Sequence, residues 1–215
     1  MRQRMTSSAA SPSARLWIPA LLCLGALVPA ILIPTFGFLI SLGFMAAVLA
    51  LYRPSRAATL ALVWKSRAKS MLLGILVGGA LAVAIAELVR PLVESLLGKG
   101  VDTGALAAVA GNWPVFLVTL VIALASAAAE ELLYRGFVIG WGAKIFGRGA
   151  VPLLVLISAA AFGASHSYGP SGAVVTGLIG LALGVMYQLC GRRLLPCVAA
   201  HMTFNLIGSV ALFLG

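Results

Sequence analysis

The chain has 215 residues, of which 62% are hydrophobic and only 9% are charged. Soluble domains are about 25% charged, so this composition excludes a soluble globular protein and indicates an integral membrane protein. The formal net charge of +10 does not indicate nucleic acid as a partner, because the basic residues cluster between apolar runs. Such clusters are typical of membrane topology and of contact with anionic lipid, so the expected partner is the bilayer.

Several apolar runs have about the 20 residues that a membrane span needs. They predict an all-α, polytopic transmembrane helix bundle of about seven spans, within a range of six to eight. We expect Pro19 and Pro29 to kink or break the first span. The predicted spans cover residues 16–34, 36–52, 71–89, 113 to about 140, 151–166, 172–190 and 194–214.

The basic residues predict an orientation for the bundle. With the N-terminus in the cytoplasm, only Arg90 and Lys99 fall in outside segments, as the positive-inside rule requires. We therefore predict a multi-pass protein of the cell membrane, with residues 1–15 as a polar cytoplasmic tail. Residues 16–112 form the N-terminal spans, followed by a surface segment after Arg90, and residues 113–215 form a helical core. Within the third span, Glu87 is expected to pair with Arg90.

The cysteines do not predict a disulfide framework or a zinc site. There are three of them, an odd number, and each lies in or beside an apolar run. A free cysteine behaves as a small hydrophobic residue, so we expect Cys23, Cys190 and Cys197 to be buried core residues.

Two adjacent carboxylates, Glu130 and Glu131, follow the uncharged run 113–129. A charge at the centre of a bilayer costs about 2.5–3.5 kcal/mol on insertion scales, so these acids need an explanation. Residues four apart share a helix face, so Glu131 can pair with Arg135. Glu130 is rotated by about 100° and is left free to exchange a proton. An ion pair at the end of a span, near the membrane surface, is the open alternative.

Other polar groups lie in the last spans. The chain has two histidines, His166 and His201, and Asn205 shares a helix face with His201. Phe162 has the same relation to His166. With Glu130, the two imidazoles form a zinc-type ligand set that leaves a position for water. The same groups can also work without a metal, with the carboxylate as general base and the amide and an imidazole as oxyanion donors.

Three motifs occur in order along this half of the chain. They are E-E-L-L-Y-R, which fits E-E-x-x-x-R, F-G-A-S-H, which fits F-x-x-x-H, and H-M-T-F-N, which fits H-x-x-x-N. Together they resemble the CPBP family of intramembrane proteases. That family includes the type II CAAX prenyl endopeptidases and the bacterial Abi proteins linked to bacteriocin processing and self-immunity. The resemblance implies that residues 113–215 are the catalytic core.

The resemblance implies an intramembrane metalloprotease that cleaves a membrane-associated substrate, either prenylated or of the bacteriocin type. Glu130 would activate the attacking water, with His166 sharing that role. His201 and Asn205 would stabilise the oxyanion. If zinc is the cofactor, its ligands would be Glu130, His166 and His201, and a metal-free glutamate mechanism is the alternative.

The resemblance also implies structural residues at the site. Glu131 belongs to the catalytic motif and, with Arg135, would hold the shape of the site, while Phe162 begins the second motif. Two other functions stay open. The polar cluster would also serve a transporter or a proton relay, although no inverted repeat supports one. A non-catalytic membrane scaffold would not need the cluster.

Overall fold

The computed structural model describes residues 14–33 and 36–215, and every regular element in these residues is helical. The predicted all-α class is therefore confirmed. Apart from its last two residues, the predicted N-terminal tail (residues 1–15) lies outside the described residues. The helices are α1 (Ala14–Gly25), α2 (Val28–Leu32), α3 (Gly37–Leu51), α4 (Arg56–Thr59), α5 (Arg67–Leu97), α6 (Trp113–Ile145), α7 (Val151–Ala164), α8 (Gly169–Leu189) and α9 (Leu194–Leu214).

Within the described residues, four helices are long and apolar enough to cross a membrane: α5, α6, α8 and α9. A fifth span results if α3 and the short helices after it, which meet at an angle of 109°, are counted as one. The predicted first and fifth spans are helical but shorter, at Leu16–Leu32 and Arg148–Ala164. Four or five of the predicted spans are therefore full-length helices.

The two prolines of the first span have different effects. Pro19 lies inside α1, whereas the chain breaks between α1 and α2 just before Pro29. Pro29 occupies the first turn of α2, where its missing N–H would have no intrahelical partner in any case. The predicted interruption is therefore located at Pro29.

Helix α5 continues well beyond its predicted end. A π-helical segment, Ile85–Val89, leads without a break into Arg90–Leu97, so the predicted surface segment begins as helix. The expected pair between Glu87 and Arg90 was wrong, because Arg90 Nε donates instead to Glu94 Oε1 at 2.9 Å, one full turn further on. Glu94 Oε1 also accepts the Val101 N–H at 2.8 Å and thereby fixes the chain that returns past the helix end.

Helix α9 packs closely along α5 because small residues face each other. A Cβ added to Gly74 would lie 2.4 Å from the Ala199 Cβ, and one added to Gly78 would lie 2.3 Å from the Ala200 carbonyl oxygen. Only glycine permits this separation, as is common between membrane helices. The contact fixes the position of His201, the next residue of α9. Helix α9 also packs against α6, and α8 packs against α7.

The segments between helices gather at two opposite ends, as the predicted alternation requires. At one end the Leu194 N–H donates to the Ala61 carbonyl oxygen at 2.9 Å, so the basic loop after α3 meets the start of α9. At the other end the Asp102 N–H donates to the Tyr168 carbonyl oxygen at 3.0 Å. Which end faces the cytoplasm stays a prediction.

The cysteines are core residues, as expected. Cys23, Cys190 and Cys197 are all buried and none forms a disulfide. The Cys23 and Cys197 thiols lie against backbone carbonyl oxygens of neighbouring helices.

Candidate active site

The two adjacent glutamates lie at the middle of α6, not at its end. Glu130 is residue 18 of a helix of 33 residues. The alternative interpretation, an ion pair at the end of a span near the membrane surface, is therefore wrong. Helix α6 continues to Ile145, past the predicted end near residue 140. From Glu131 to Trp141 the helix is π-helical, a rare form that is frequently found at functional sites.

Glu131 belongs to a fully buried ionic cluster. Its Oε1 accepts from Arg135 Nη1 at 2.8 Å, which is the predicted pairing. Arg135 Nη2 donates to the Gly180 carbonyl oxygen at 2.9 Å, and the guanidinium lies 5.0 Å from the centre of the Phe162 ring. Glu131 Oε1 also accepts from His201 Nδ1 at 2.9 Å, a contact that no sequence pattern predicted. Glu131 thus holds an imidazole as well as an arginine.

Glu130 points away from this cluster. Its side chain is 13% exposed, against 0% for Glu131, and the nearest basic atom is His201 Nε2, 3.7 Å from Glu130 Oε2. That separation is too long for a hydrogen bond. One carboxylate is therefore tied to its neighbours, and the other faces open space.

That open space is a cavity of about 140 Å³, which we call the polar cavity. Its walls include all four of the polar residues that were predicted to converge. Glu130 comes from α6, His166 from the chain just after α7, and His201 and Asn205 from α9. The remaining wall consists of Phe162, Tyr168, Thr176, Ile179 and Phe204. Because liquid water occupies about 30 Å³ per molecule, the polar cavity has room for several waters.

Local hydrogen bonds set the orientation of both imidazoles. His166 Nδ1 lies 2.6 Å from the Phe162 carbonyl oxygen, which can only accept, so Nδ1 carries the proton. A neutral His166 therefore has a bare Nε2 that can accept a proton. His201 Nδ1 donates in the same way to the Glu131 carboxylate. The Phe162 ring packs against both imidazoles, with centroid distances of 4.6 Å to His166 and 5.7 Å to His201.

Asn205 lies on the His201 face of α9, but its partner is on another helix. Its Nδ2 donates to the Ala123 carbonyl oxygen of α6 at 3.0 Å. An amide nitrogen has two N–H groups, so one N–H remains. This anchor is remote in sequence, and no local spacing gave a signal for it.

Further polar residues support His166. The Tyr134 hydroxyl donates to Ser165 Oγ at 2.9 Å, and Ser165 Oγ donates to the Phe162 carbonyl oxygen at 2.9 Å. Neither Tyr134 nor Tyr168 was identified from the sequence as a site residue. Their spacing gave some indication, since Tyr134 is four residues after Glu130 and Tyr168 is two residues after His166.

The proposed zinc ligands do not form a ligand set as they are placed. In residues 14–33 and 36–215, no three His, Cys, Asp or Glu side chains come together in a way that could hold a metal ion. The Nδ1 of each imidazole is bonded within the protein, so a metal could be bound only through Nε2. The zinc site stays a prediction, and no chemical step that we propose depends on it.

Two grooves share walls with the polar cavity. A groove of about 290 Å³ shares Tyr168, Phe204 and Asn205 with it. A larger groove of about 430 Å³ lies between α5 and α9, has mostly apolar walls and shares Phe204, Gly208 and Leu212 with the first groove. The polar cavity is thus next to depressions on the apolar outer surface of the bundle.

Comparison with known proteins adds one match. Residues 111–207 match the family model described as type II CAAX prenyl endopeptidase Rce1-like. No curated protein and no solved structure matches the chain. The matched residues begin just before α6, end within α9 and include Glu130, His166, His201 and Asn205.

Proposed function

We propose that this chain, whose residues 111–207 match the type II CAAX prenyl endopeptidase Rce1-like family model, is a CAAX-type intramembrane endopeptidase acting on membrane-associated peptides. The observation that carries the proposal is the polar cavity, in which a carboxylate, two imidazoles and an amide face one space. Such a set can activate a water molecule and stabilise the oxyanion that its attack produces.

Glu130 is the proposed general base. Its nearest basic atom is 3.7 Å away, so its carboxylate is available to accept a proton from water in the polar cavity. His166 has a bare Nε2 when neutral and is proposed to orient the same water. Both groups line the polar cavity, so they can act on the same water molecule.

Asn205 and His201 are the proposed oxyanion donors. Asn205 is anchored by one N–H and retains the other. His201 already donates from Nδ1 to Glu131, so it can donate from Nε2 only as the imidazolium. The Glu131 carboxylate and the oxyanion itself would supply the counter-charge for that state, because Glu130 is neutral once it has taken the proton from water.

The proposed reaction balances with one proton carrier. Water attacks the scissile carbonyl carbon, and its proton passes to the Glu130 carboxylate. The tetrahedral oxyanion accepts hydrogen bonds from Asn205 and His201. When the C–N bond breaks, Glu130 returns the proton to the leaving nitrogen, and the carboxylate is regenerated.

The substrate is proposed to enter from the side of the bundle. The 430 Å³ groove is mostly apolar, which suits the hydrocarbon chain of a prenylated peptide. A bacteriocin-type membrane peptide without a lipid chain is the alternative substrate, and it would enter by the same grooves.

The test is cleavage of fluorogenic peptides by the purified full-length chain in liposomes. One peptide sequence is offered in prenylated and unmodified forms, beside a bacteriocin-type peptide, with and without a zinc chelator. Glu130→Gln is the inactive reference. Glu87→Gln is the matched control, because it removes the same charge from an exposed position on α5.

We expect cleavage by the wild type and by Glu87→Gln, and none by Glu130→Gln. Preference for the prenylated form identifies the substrate class. Inhibition by the chelator that added zinc reverses would contradict the metal-free route. No cleavage of any peptide, together with ion or proton flux in the same liposomes, would replace the protease proposal by the transporter alternative.

A further inference from the structure

A second cavity, of about 230 Å³, lies toward the end of the bundle where the basic loops meet. Three cations contribute to its walls: Lys144, Arg192 and Arg193. We call it the basic cavity. None of its lining residues is acidic, and no salt bridge in the described part of the chain involves any of the three cations. Three like charges around one space repel each other unless an anion joins them.

A buried hydroxyl gives independent evidence of a ligand. Tyr187 lines the basic cavity, its side chain is fully buried, and its hydroxyl has no hydrogen-bond partner among the described residues. Buried polar groups are nearly always paired, so this hydroxyl indicates a partner from outside the chain. The hydroxyl packs directly against Gly140, where an added Cβ would lie only 2.5 Å from the Tyr187 oxygen.

The turn that carries the two arginines has an unusual backbone. Gly191 and Arg192 have φ angles of +61° and +59°, and left-handed values are uncommon for a residue other than glycine. The Arg192 N–H donates to the Tyr187 carbonyl oxygen at 2.8 Å. This bond ties the arginine pair to the residue whose hydroxyl lacks a partner. With the Gly191 N–H donating to the Gln188 carbonyl oxygen at 3.0 Å, this is a Schellman turn that ends α8 and positions both arginines beside Tyr187.

We propose that the basic cavity binds a phosphate-type anion, presented by the headgroup of an anionic phospholipid. Guanidinium groups match phosphate geometry, and a tyrosine hydroxyl can donate to a phosphate oxygen. Exposed apolar side chains lie within two residues of lining residues and provide a surface for acyl chains: Leu62, Phe146 and Leu189. This end is also the one predicted to face the cytoplasm, where leaflets are anionic.

The basic cavity is separate from the proposed catalytic site. Gly140 lies ten residues after Glu130 along α6, more than two helical turns away. The two cavities have no lining residue in common. A ligand of the basic cavity therefore need not touch the reacting peptide.

The experiment measures thermal unfolding of the full-length chain in nanodiscs. The lipid is phosphatidylcholine alone or phosphatidylcholine with phosphatidylglycerol, and a third arm adds inorganic phosphate to phosphatidylcholine. The test variant is Lys144→Gln/Arg192→Gln/Arg193→Gln. The control variant, Arg67→Gln/Lys69→Gln/Arg148→Gln, removes three exposed charges from the same end but outside the basic cavity.

Phosphatidylglycerol is expected to raise the unfolding midpoint of the wild type and of the control variant. For the test variant, lipid binding should be weaker by about fivefold for each lost cation. If phosphatidylglycerol protects the test variant as well as the wild type, the site is wrong. If inorganic phosphate protects as well as the lipid does, the anion site stands and the lipid assignment is overturned.

Tyr187→Phe separates binding from simple stability. Removing an unpaired buried hydroxyl should leave stability in phosphatidylcholine unchanged or higher. The gain from phosphatidylglycerol should fall at the same time, because the hydroxyl no longer reaches the phosphate. An equal change in both lipids would contradict a ligand-binding role for Tyr187.

Discussion

Two neighbouring residues of α6, Glu130 and Glu131, have opposite surroundings. Glu131 is fully buried and shares its Oε1 between Arg135 and His201, whereas Glu130 faces the polar cavity without a hydrogen bond to either. Because consecutive residues of a helix point in different directions, the Glu131 charge serves the structure while the Glu130 charge is available for chemistry. In a membrane protein both are costly, so each needs its own compensation.

The largest expected effect is on activity, at Glu130. Glu130→Gln keeps the shape of the side chain but removes the proton acceptor, so the cleavage rate should fall by about a hundred- to ten-thousandfold. The unfolding midpoint in detergent should change little, because no hydrogen bond to the ionic cluster is lost. Peptide cleavage and thermal unfolding are measured on the same preparation. If Glu130→Gln has a much lower unfolding midpoint and is active at temperatures where it is folded, Glu130 is not the general base.

The next effect is on stability, at Glu131. Glu131→Gln leaves Arg135 buried without its counter-charge, which typically costs about 3–5 kcal/mol. His201 also loses its charged partner, so activity should fall with stability. The measurement is the free energy of unfolding in mixed micelles.

The double variant Glu131→Gln/Arg135→Met is the control for this effect. It removes the uncompensated charge as well, so it should be more stable than Glu131→Gln alone. If Glu131→Gln is stable but inactive while Glu130→Gln is unstable, the two roles are reversed.

A variant at Asn205 tests whether α9, like Glu130 of α6, contributes a group that acts in the chemistry more than in stability. Asn205→Ala removes one proposed oxyanion donor, so kcat should fall by about a hundred- to thousandfold. The lost bond to the Ala123 carbonyl oxygen should cost only about 1 kcal/mol of stability. Both kcat and KM are measured, and a change confined to KM would assign Asn205 to substrate binding.

The smallest effect is expected at Tyr134, which connects the π-helical segment to His166. Tyr134→Phe removes the hydrogen bond to Ser165 Oγ, at a cost of about 0.5–1.5 kcal/mol. Ser165 keeps its own bond to the Phe162 carbonyl oxygen, so the rate should fall by no more than about tenfold, which corresponds to 1.4 kcal/mol. A loss as large as that of Glu130→Gln would make the Tyr134 hydroxyl part of the chemistry.

Composition and local spacing were enough to predict part of the structure. Apolar runs identified the all-α bundle, and helical spacing identified the pair between Glu131 and Arg135. The scarcity of ionisable groups in apolar runs also singled out the four residues that line the polar cavity. Their catalytic roles stay predictions.

Contacts between distant segments were not predictable in this way. His201 meets Glu131 across 70 residues, and Asn205 meets the Ala123 carbonyl across 82. Both contacts depend on how α9 crosses α6, which no local pattern encodes. The pair between Glu87 and Arg90 was predicted wrongly because Glu87 and Glu94 are both at helical spacing from Arg90, and spacing alone does not decide between them.

The glycine contacts between α5 and α9 have a consequence for how small an active unit can be. The family match begins at residue 111, yet α9 rests against Gly74 and Gly78 of the unmatched half. A fragment restricted to the matched residues would lose the α5 surface that fixes the position of α9, and with it the position of His201 relative to Glu130. We therefore expect the unmatched half to be required for correct placement of the catalytic residues. Residues 111–215 expressed alone should be inactive, and activity should return when residues 1–110 are supplied in trans.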